Sequence, residues 1–361
     1  MKSVPVSELP IGVEISRDIF NENGNVILST GTKIAQKHID YLLAYGIDQV
    51  FIREESDAAV TQFGDDAQKR YQSLRDMYGR LVEHSKAMTV AAQTNPASID
   101  FAGIIADLDP VLKLLLEDND ILRSLRNIGS GESYLYTHPV NVSLLAAMLG
   151  KWLELEESEQ YLLAYAGFFH DIGKARVKQE LFFKTDPLAS YEISAVREHA
   201  MHGYELLKNA FVGVDPNLFS HDMVQEMLQV ALAHHERVTG TGYPFGLKGD
   251  TISFYARVVA VVDVYDAITS NRYYREGISP YVAFKLLKEE SFKGLDATVS
   301  QLFLKNISQF FINNRVRLSD GRIGDVVYVN KFALNRPLVK VGDDYIDLST
   351  DYSLDIVEVI I

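Results

Sequence analysis

His170 and Asp171 stand side by side at the end of an apolar helical run, with Lys174 three residues further on. An imidazole nitrogen beside a two-oxygen carboxylate can hold one metal ion and reach towards a second. A lysine one helical turn later can face whatever anion such ions bind. The dipeptide alone is a weak signal, because it recurs at His221-Asp222, where the preceding Ser220 makes helix capping the better account. Four more of the nine histidines lie in helical contexts that could converge on Asp171: His138, His199, His234 and His235. His138 opens a helix whose later residues Val140, Leu144, Leu145 and Met148 would bury it. His234-His235 ends a helix running from Val224, with Gly240 and Gly242 closing behind it. Asp263 lies inside the apolar run from Arg257 to Ala267, where a carboxylate is costly to bury unless paired or metal-bound, and Asp266 shares its face.

Each residue taken singly has a blander explanation. His138 or His199 would serve as a core histidine bonded to backbone, Asp263 would pair with Arg257 or Arg272, and His202 would support another ligand or a phosphate. His38 and His84 read as solvated on polar helix faces. Jointly, five histidines and two aspartates in a chain with no cysteine suit a dinuclear iron, manganese or zinc centre better than a single structural ion.

The elements that must position these residues are mainly α-helical. Helical periodicity is dense across residues 98–312, with helices expected near 100–107, 110–116, 118–127, 137–152, 158–171, 189–209, 222–236, 253–270, 280–289 and 297–312. This helical domain holds every ligand. Residues 1–53 read as a small α+β module: Val13-Glu14-Ile15 and Val26-Ile27-Leu28 flank a turn at Asn21–Asn25, and a helix follows over Ile34–Tyr45. Residues 54–97 read as a linker and a connecting helix, whose stripe Tyr71, Leu74, Met77, Tyr78 and Leu81 offers either packing or a dimer seam. Residues 313–361 carry short alternating runs separated by Asn, Pro, Gly and Asp, a small antiparallel β domain.

At 361 residues, 47% hydrophobic and 23% charged, the composition is that of a globular protein of two or three domains. No apolar run approaches the roughly 18 residues of a membrane span, the N-terminus has no signal-peptide core, and the lack of cysteine fits a cytoplasmic enzyme. A net charge of -14 argues against a nucleic-acid polymer or a membrane surface as partner, while leaving room for a small anion held by localised Lys and Arg.

His170-Asp171-Ile172-Gly173-Lys174, Lys184 with Leu188 and Glu192, His199 with Gly203, His234-His235-Glu236-Arg237, Gly240-Thr241-Gly242-Tyr243-Pro244, Asp263-Val264-Tyr265-Asp266-Ala267 and Arg272-Tyr273-Tyr274-Arg275 occur in the order that resembles the HD-GYP family. These are metal-dependent phosphodiesterases that hydrolyse cyclic di-GMP, within the wider HD metal-dependent phosphohydrolase superfamily. The resemblance covers roughly residues 105–310. It implies an HD-type bundle with two divalent metals, most often iron or manganese, and hydrolysis to pGpG and onward to GMP by metal-activated hydroxide. It makes Asp171 the bridging carboxylate, with His138, His170 and Asp263 completing one metal and His199, His234 and His235 the other. It gives Lys174 to the scissile phosphate, Lys184, Arg272 and Arg275 to the dinucleotide's phosphates, Asp266 to positioning or proton handling, and Tyr243 to the guanine side.

Three positions depart from the pattern. Thr239 stands where the family's loop usually has Asp, Thr185 where Pro is frequent, and Tyr134 where some members carry a Glu for a third metal. The last favours two metals over three. Two other readings stay open: a cyclic di-GMP-binding effector with little turnover, and a phosphodiesterase for another cyclic dinucleotide such as cyclic GMP-AMP. Homodimerisation is expected through the N-terminal module or the connecting helix.

Overall fold

The computed structural model describes residues 65–118, 121, 134–184, 186–270 and 279–360, with parts of residues 2–52. Two compact units emerge, one built mainly from Met1–Ser73 and the other from most of the chain after Leu74.

In the first unit, β1 (Lys2–Pro5) pairs antiparallel with β4 (Gln49–Ile52), and β2 (Ile19–Phe20) with β3 (Val26–Leu28). The strand facing β3 is therefore Ile19–Phe20 and not Val13–Ile15; Ile15 forms a bridge to Ile52 instead. Residues 21–25 and most of 34–45 lie outside the described residues. Val4, Val6, Ile15, Ile34, Leu42, Val50 and Ile52 form the unit's core.

The helix α1 (Asp65–Thr94) buries Leu74, Tyr78, Leu81, Val82, Met88 and Ala92 at helical spacing in the core of the second unit. The Tyr78 hydroxyl donates to Asn141 Oδ1 at 2.7 Å, so the apolar stripe of this helix is taken up by packing. The helix α2 (Phe101–Glu117) runs straight through Pro110, where two helices were expected. Interior proline costs roughly 3 kcal/mol; burial of Ile104, Leu108, Val111, Leu112 and Leu115 along one face offsets it.

Next come α3 (Tyr134–Trp152), α4 (Glu157–Phe169), a 3-10 turn at Ile172–Arg176, α5 (Glu180–Phe183), α6 (Ser190–Arg197), α7 (His199–Ala210) and α8 (His221–Ala233). Ser220 caps α8 by accepting from Met223 N, as its position predicts. The helix expected over 189–209 breaks at Glu198, which makes His199 the first residue of α7. Then α9 (Phe254–Thr269), α10 (Pro280–Lys293) and α11 (Ala297–Ile307) complete the bundle.

The C-terminal strands β5 (Arg315–Leu318), β6 (Ile323–Asn330), β7 (Ala333–Val341), β8 (Asp344–Asp347) and β9 (Ile356–Ile360) form one antiparallel sheet of order β8-β7-β6-β5-β9. Its inward residues Val316, Leu318, Val326 and Val339 share one apolar core with Phe303 and Phe311 of the bundle. Among the described residues no helix is long and apolar enough to cross a membrane.

Candidate metal centre

Five chain segments deliver side chains to one buried point. His138 comes from the second turn of α3, His170 caps the C-terminus of α4 with Asp171 next to it, and His199 opens α7. His234 caps the C-terminus of α8 with His235 after it, and Asp263 lies within α9. The two oxygens of Asp171 face different partners. Its Oδ2 lies 3.3 Å from His138 Nε2 and 3.2 Å from His170 Nε2; its Oδ1 lies 3.4 Å from His199 Nε2 and 3.7 Å from His234 Nε2. Asp263 Oδ1 stands 3.1 Å from His138 Nε2 and 3.8 Å from His170 Nε2. His235 Nε2 approaches His199 Nε2 to 3.1 Å. Two sets, Asp171 with His199, His234 and His235, and Asp171 with His138 and His170, each gather their ligand atoms within 4.8 Å.

The other ring nitrogens explain this inward convergence. His170 Nδ1 donates to Gly167 O at 2.7 Å, His199 Nδ1 to Val196 O at 2.6 Å, and His234 Nδ1 to Val230 O at 3.0 Å. His138 Nδ1 donates to Asp266 Oδ2 at 2.7 Å. With the proton on Nδ1, each Nε2 presents a lone pair to the centre, the outer arrangement that metal-binding imidazoles use. Two such lone pairs cannot bond to each other. Among the described residues, His138 Nε2, His170 Nε2 and Asp171 Oδ1 are buried with no hydrogen-bond partner. Buried polar atoms left this way are costly, and cations held within the two sets would satisfy them. The donor set fits divalent metals.

Electrostatics sort these groups. Burial, then repulsion from neighbouring imidazoles, holds His234 down to about 3 and His235 well below the usual histidine range. Burial likewise lowers His199, so all three are neutral. Burial opposes ionisation of Asp171 and Asp263, yet His170 and Lys174 around the first and His138 beside the second keep both carboxyls well below their ordinary range. At His138 burial is outweighed by Asp171, Asp263 and Asp266, which raise it to about 10; the negative field that would hold a second proton on Nε2 is one in which a bound cation would take that proton's place.

Around this centre, Lys174 Nζ is ion-paired with Asp171 Oδ2. Asp266 stands behind His138, its Oδ1 accepting from Asn141 Nδ2 at 2.9 Å and Ser270 Oγ at 3.0 Å, so its carboxylate is fixed against the His138 ring. Lys184 Nζ sits between both oxygens of Glu192 at 2.8 and 2.6 Å, beside an open depression lined by Gln179, Glu180 and Leu181. Arg272, Arg275 and Thr185 lie outside the described residues.

Tyr243 lays its ring against His235, centroids 4.6 Å apart and 25° from parallel, with the Arg197 guanidinium 5.0 Å from the tyrosine's centroid. Burial and the negative charge of Asp171 and Asp263 raise its hydroxyl, which stays protonated. Thr239 bonds its hydroxyl to Lys293 O at 3.1 Å, so the loop is tethered there without an aspartate. Tyr134 packs its ring 4.8 Å from that of His138. His202 Nε2 lies 3.8 Å from Glu198 Oε2, one turn back along the chain. His84 is not solvated: its Nε2 meets Asp107 Oδ2 at 2.9 Å in a half-buried pair. Arg257 pairs with Asp296 at 2.9 Å and not with Asp263. Sequence reading gave no role to Glu236, which is buried beside His235 and accepts from three backbone N–H groups.

Residues 113–299 match the HD domain family. A cyclic di-GMP phosphodiesterase of Pseudomonas aeruginosa is 34% identical over 244 residues, covering 68% of this chain and 56% of that protein. The cyclic di-GMP phosphodiesterase response regulator RpfG of Xanthomonas campestris is 36% identical over 135 residues, 37% of this chain and 33% of that one. A 3'3'-cGAMP-specific phosphodiesterase of Vibrio cholerae is 29% identical over 185 residues, 51% of this chain and 40% of its own length. The chain thus spans about half or less of the length of these curated relatives. In fold it is similar to an HDG"Y"P protein of Bdellovibrio bacteriovorus, with a TM-score of 0.52 and 17% identity over 84% of this chain and 97% of that one.

Proposed function

Given that this chain belongs to the HD domain family, we propose that it is a metal-dependent phosphodiesterase that hydrolyses cyclic di-GMP to pGpG, with GMP as the product of a second cut. The observation that carries the reading is the division of Asp171 between two sets of inward-facing imidazoles. Two divalent cations, iron or manganese before zinc, would supply Lewis acidity towards the phosphate and a water of lowered pKa. His138, His170, Asp171 and Asp263 would hold one; Asp171, His199, His234 and His235 would hold the other. Lys174, already drawn into the centre by Asp171, turns its ammonium to the scissile phosphate. Asp266 keeps the His138 tautomer fixed. Lys184 and Tyr243, with Arg272 and Arg275, bind the rest of the dinucleotide, giving this acidic chain the localised positive charge that an anion needs. The reading includes a cytoplasmic location, in keeping with a cysteine-free chain, and a homodimer through the N-terminal module, the stripe of α1 from Leu74 onward being buried in the bundle core.

The test is to purify the protein without chelators, quantify its metals and follow cyclic di-GMP, cyclic GMP-AMP and pGpG by chromatography. Asp171→Ala is expected to lose metal and turnover together; full activity in that variant sinks the assignment. Faster cleavage of cyclic GMP-AMP, the substrate class named for several relatives, overturns the choice of substrate and keeps the reaction class. Tight binding without turnover makes the chain an effector.

A further inference from the structure

Four of the five central histidines are oriented by a hydrogen bond from Nδ1: His138 to Asp266, His170 to Gly167, His199 to Val196 and His234 to Val230. His235 has no such protein partner among the described residues. Its ring is held by stacking on Tyr243, and the pose of Tyr243 is set by the loop that carries it. That loop folds back on the His235–Arg237 segment. Tyr243 N donates to His235 O at 3.3 Å, and a Cβ on Gly242 would stand 2.5 Å from Arg237 N, Glu236 Cα and His235 O. Glu236 fastens the far side: Oε1 accepts from Phe245 N at 2.7 Å and Gly246 N at 3.1 Å, and Oε2 from Leu247 N at 2.9 Å.

We propose that Glu236 and Tyr243 are positioning residues for one cation site, with Glu236 pinning the loop so that the Tyr243 ring fixes the imidazole of His235. The carboxylate is the group this job requires, since all three of its partners are donors. A glutamine at 236 turns an N–H₂ towards Leu247 N–H, donor against donor. The consequence is selective. The set of His199, His234, His235 and Asp171 loses an oriented ligand, while the set of His138, His170 and Asp171 keeps every Nδ1 contact.

This inference rests on the two-cation reading above, and one experiment separates their failures. Manganese binding to the full chain is measured by equilibrium dialysis and calorimetry for wild type, Glu236→Gln, Tyr243→Ala and Tyr243→Phe. Loss of orienting partners typically costs about 10- to 100-fold in metal affinity. Glu236→Gln and Tyr243→Ala are expected to lose that much at one of two sites and nothing at the other, whereas Tyr243→Phe, which keeps the ring, binds like wild type. A wild-type chain holding fewer than two equivalents refutes the two-cation reading itself. Two equivalents with unchanged affinity in Tyr243→Ala overturns the role given to the stack. Equal weakening at both sites overturns its selectivity, and a loss in Tyr243→Phe assigns the effect to the hydroxyl instead of the ring.

Discussion

At the scale of single residues, the centre combines seven side chains whose types were legible and a set of supporting contacts that were not. Asp263 stands out because a carboxylate in an apolar helical run is costly without a partner, while His138, His170, Asp171, His199, His234 and His235 stand out jointly, as five histidines and an aspartate in the order of the family's motifs. Their supports are harder to read. Three are backbone carbonyls, and Glu236, beside a charged Arg237, is spoken for by amides nine to eleven residues away. Asp266 is an intermediate case. Its spacing from Asp263 puts it on the same helix face, but only the fold sets it against His138. Asp266→Asn keeps the shape and removes the charge that holds the Nδ1 proton. Metal affinity is expected to fall about 10- to 100-fold with little change in the unfolding midpoint; a metal titration that superimposes on wild type counts against the orienting role.

At the scale of elements, the centre is assembled from helix ends. His170 and His234 cap the C-termini of α4 and α8, and His199 follows the end of α6, each bonding its Nδ1 to a carbonyl in the adjoining last turn. Helix C-termini carry partial negative charge, which favours a cation. The break between α6 and α7 has no glycine or proline to announce it, so a continuous helix was the natural expectation. Tertiary contact sets the position: a Cβ on Gly173 would overlap the His199 carbonyl oxygen and the Gly203 nitrogen, so the turn after Asp171 lies directly on α7. Gly173→Ala is expected to destabilise the fold by more than about 2 kcal/mol, in the range of overpacked core sites. A urea midpoint equal to wild type would mean that this contact yields without cost.

At the scale of the whole molecule, the helical and β regions were distinguishable by period, but their packing was not. Alternation in β5–β9 identifies a buried face without identifying what covers it, and the shared core with Phe303 and Phe311 emerges only in three dimensions. The stripe of α1, which the sequence offers to packing or to a dimer seam, is buried from Leu74 onward in the same core. A molecule folded around unsatisfied buried ligand atoms should respond to metal as a whole. Manganese at 100 times its dissociation constant is expected to stabilise the native state by about 2.7 kcal/mol, raising the melting midpoint several degrees above that in EDTA. Identical midpoints would mean that the native state binds no metal. The shared carboxylate has a further consequence. On the two-cation reading proposed above, with Oδ2 of Asp171 turned to one set and Oδ1 to the other, the two ions would be thermodynamically linked. Whatever factor the first applies to the affinity of the second, the second applies to the first. Loading is then a cooperative transition with one coupling constant, so the metal content measured in any preparation depends on free metal more steeply, or more shallowly, than two independent sites allow.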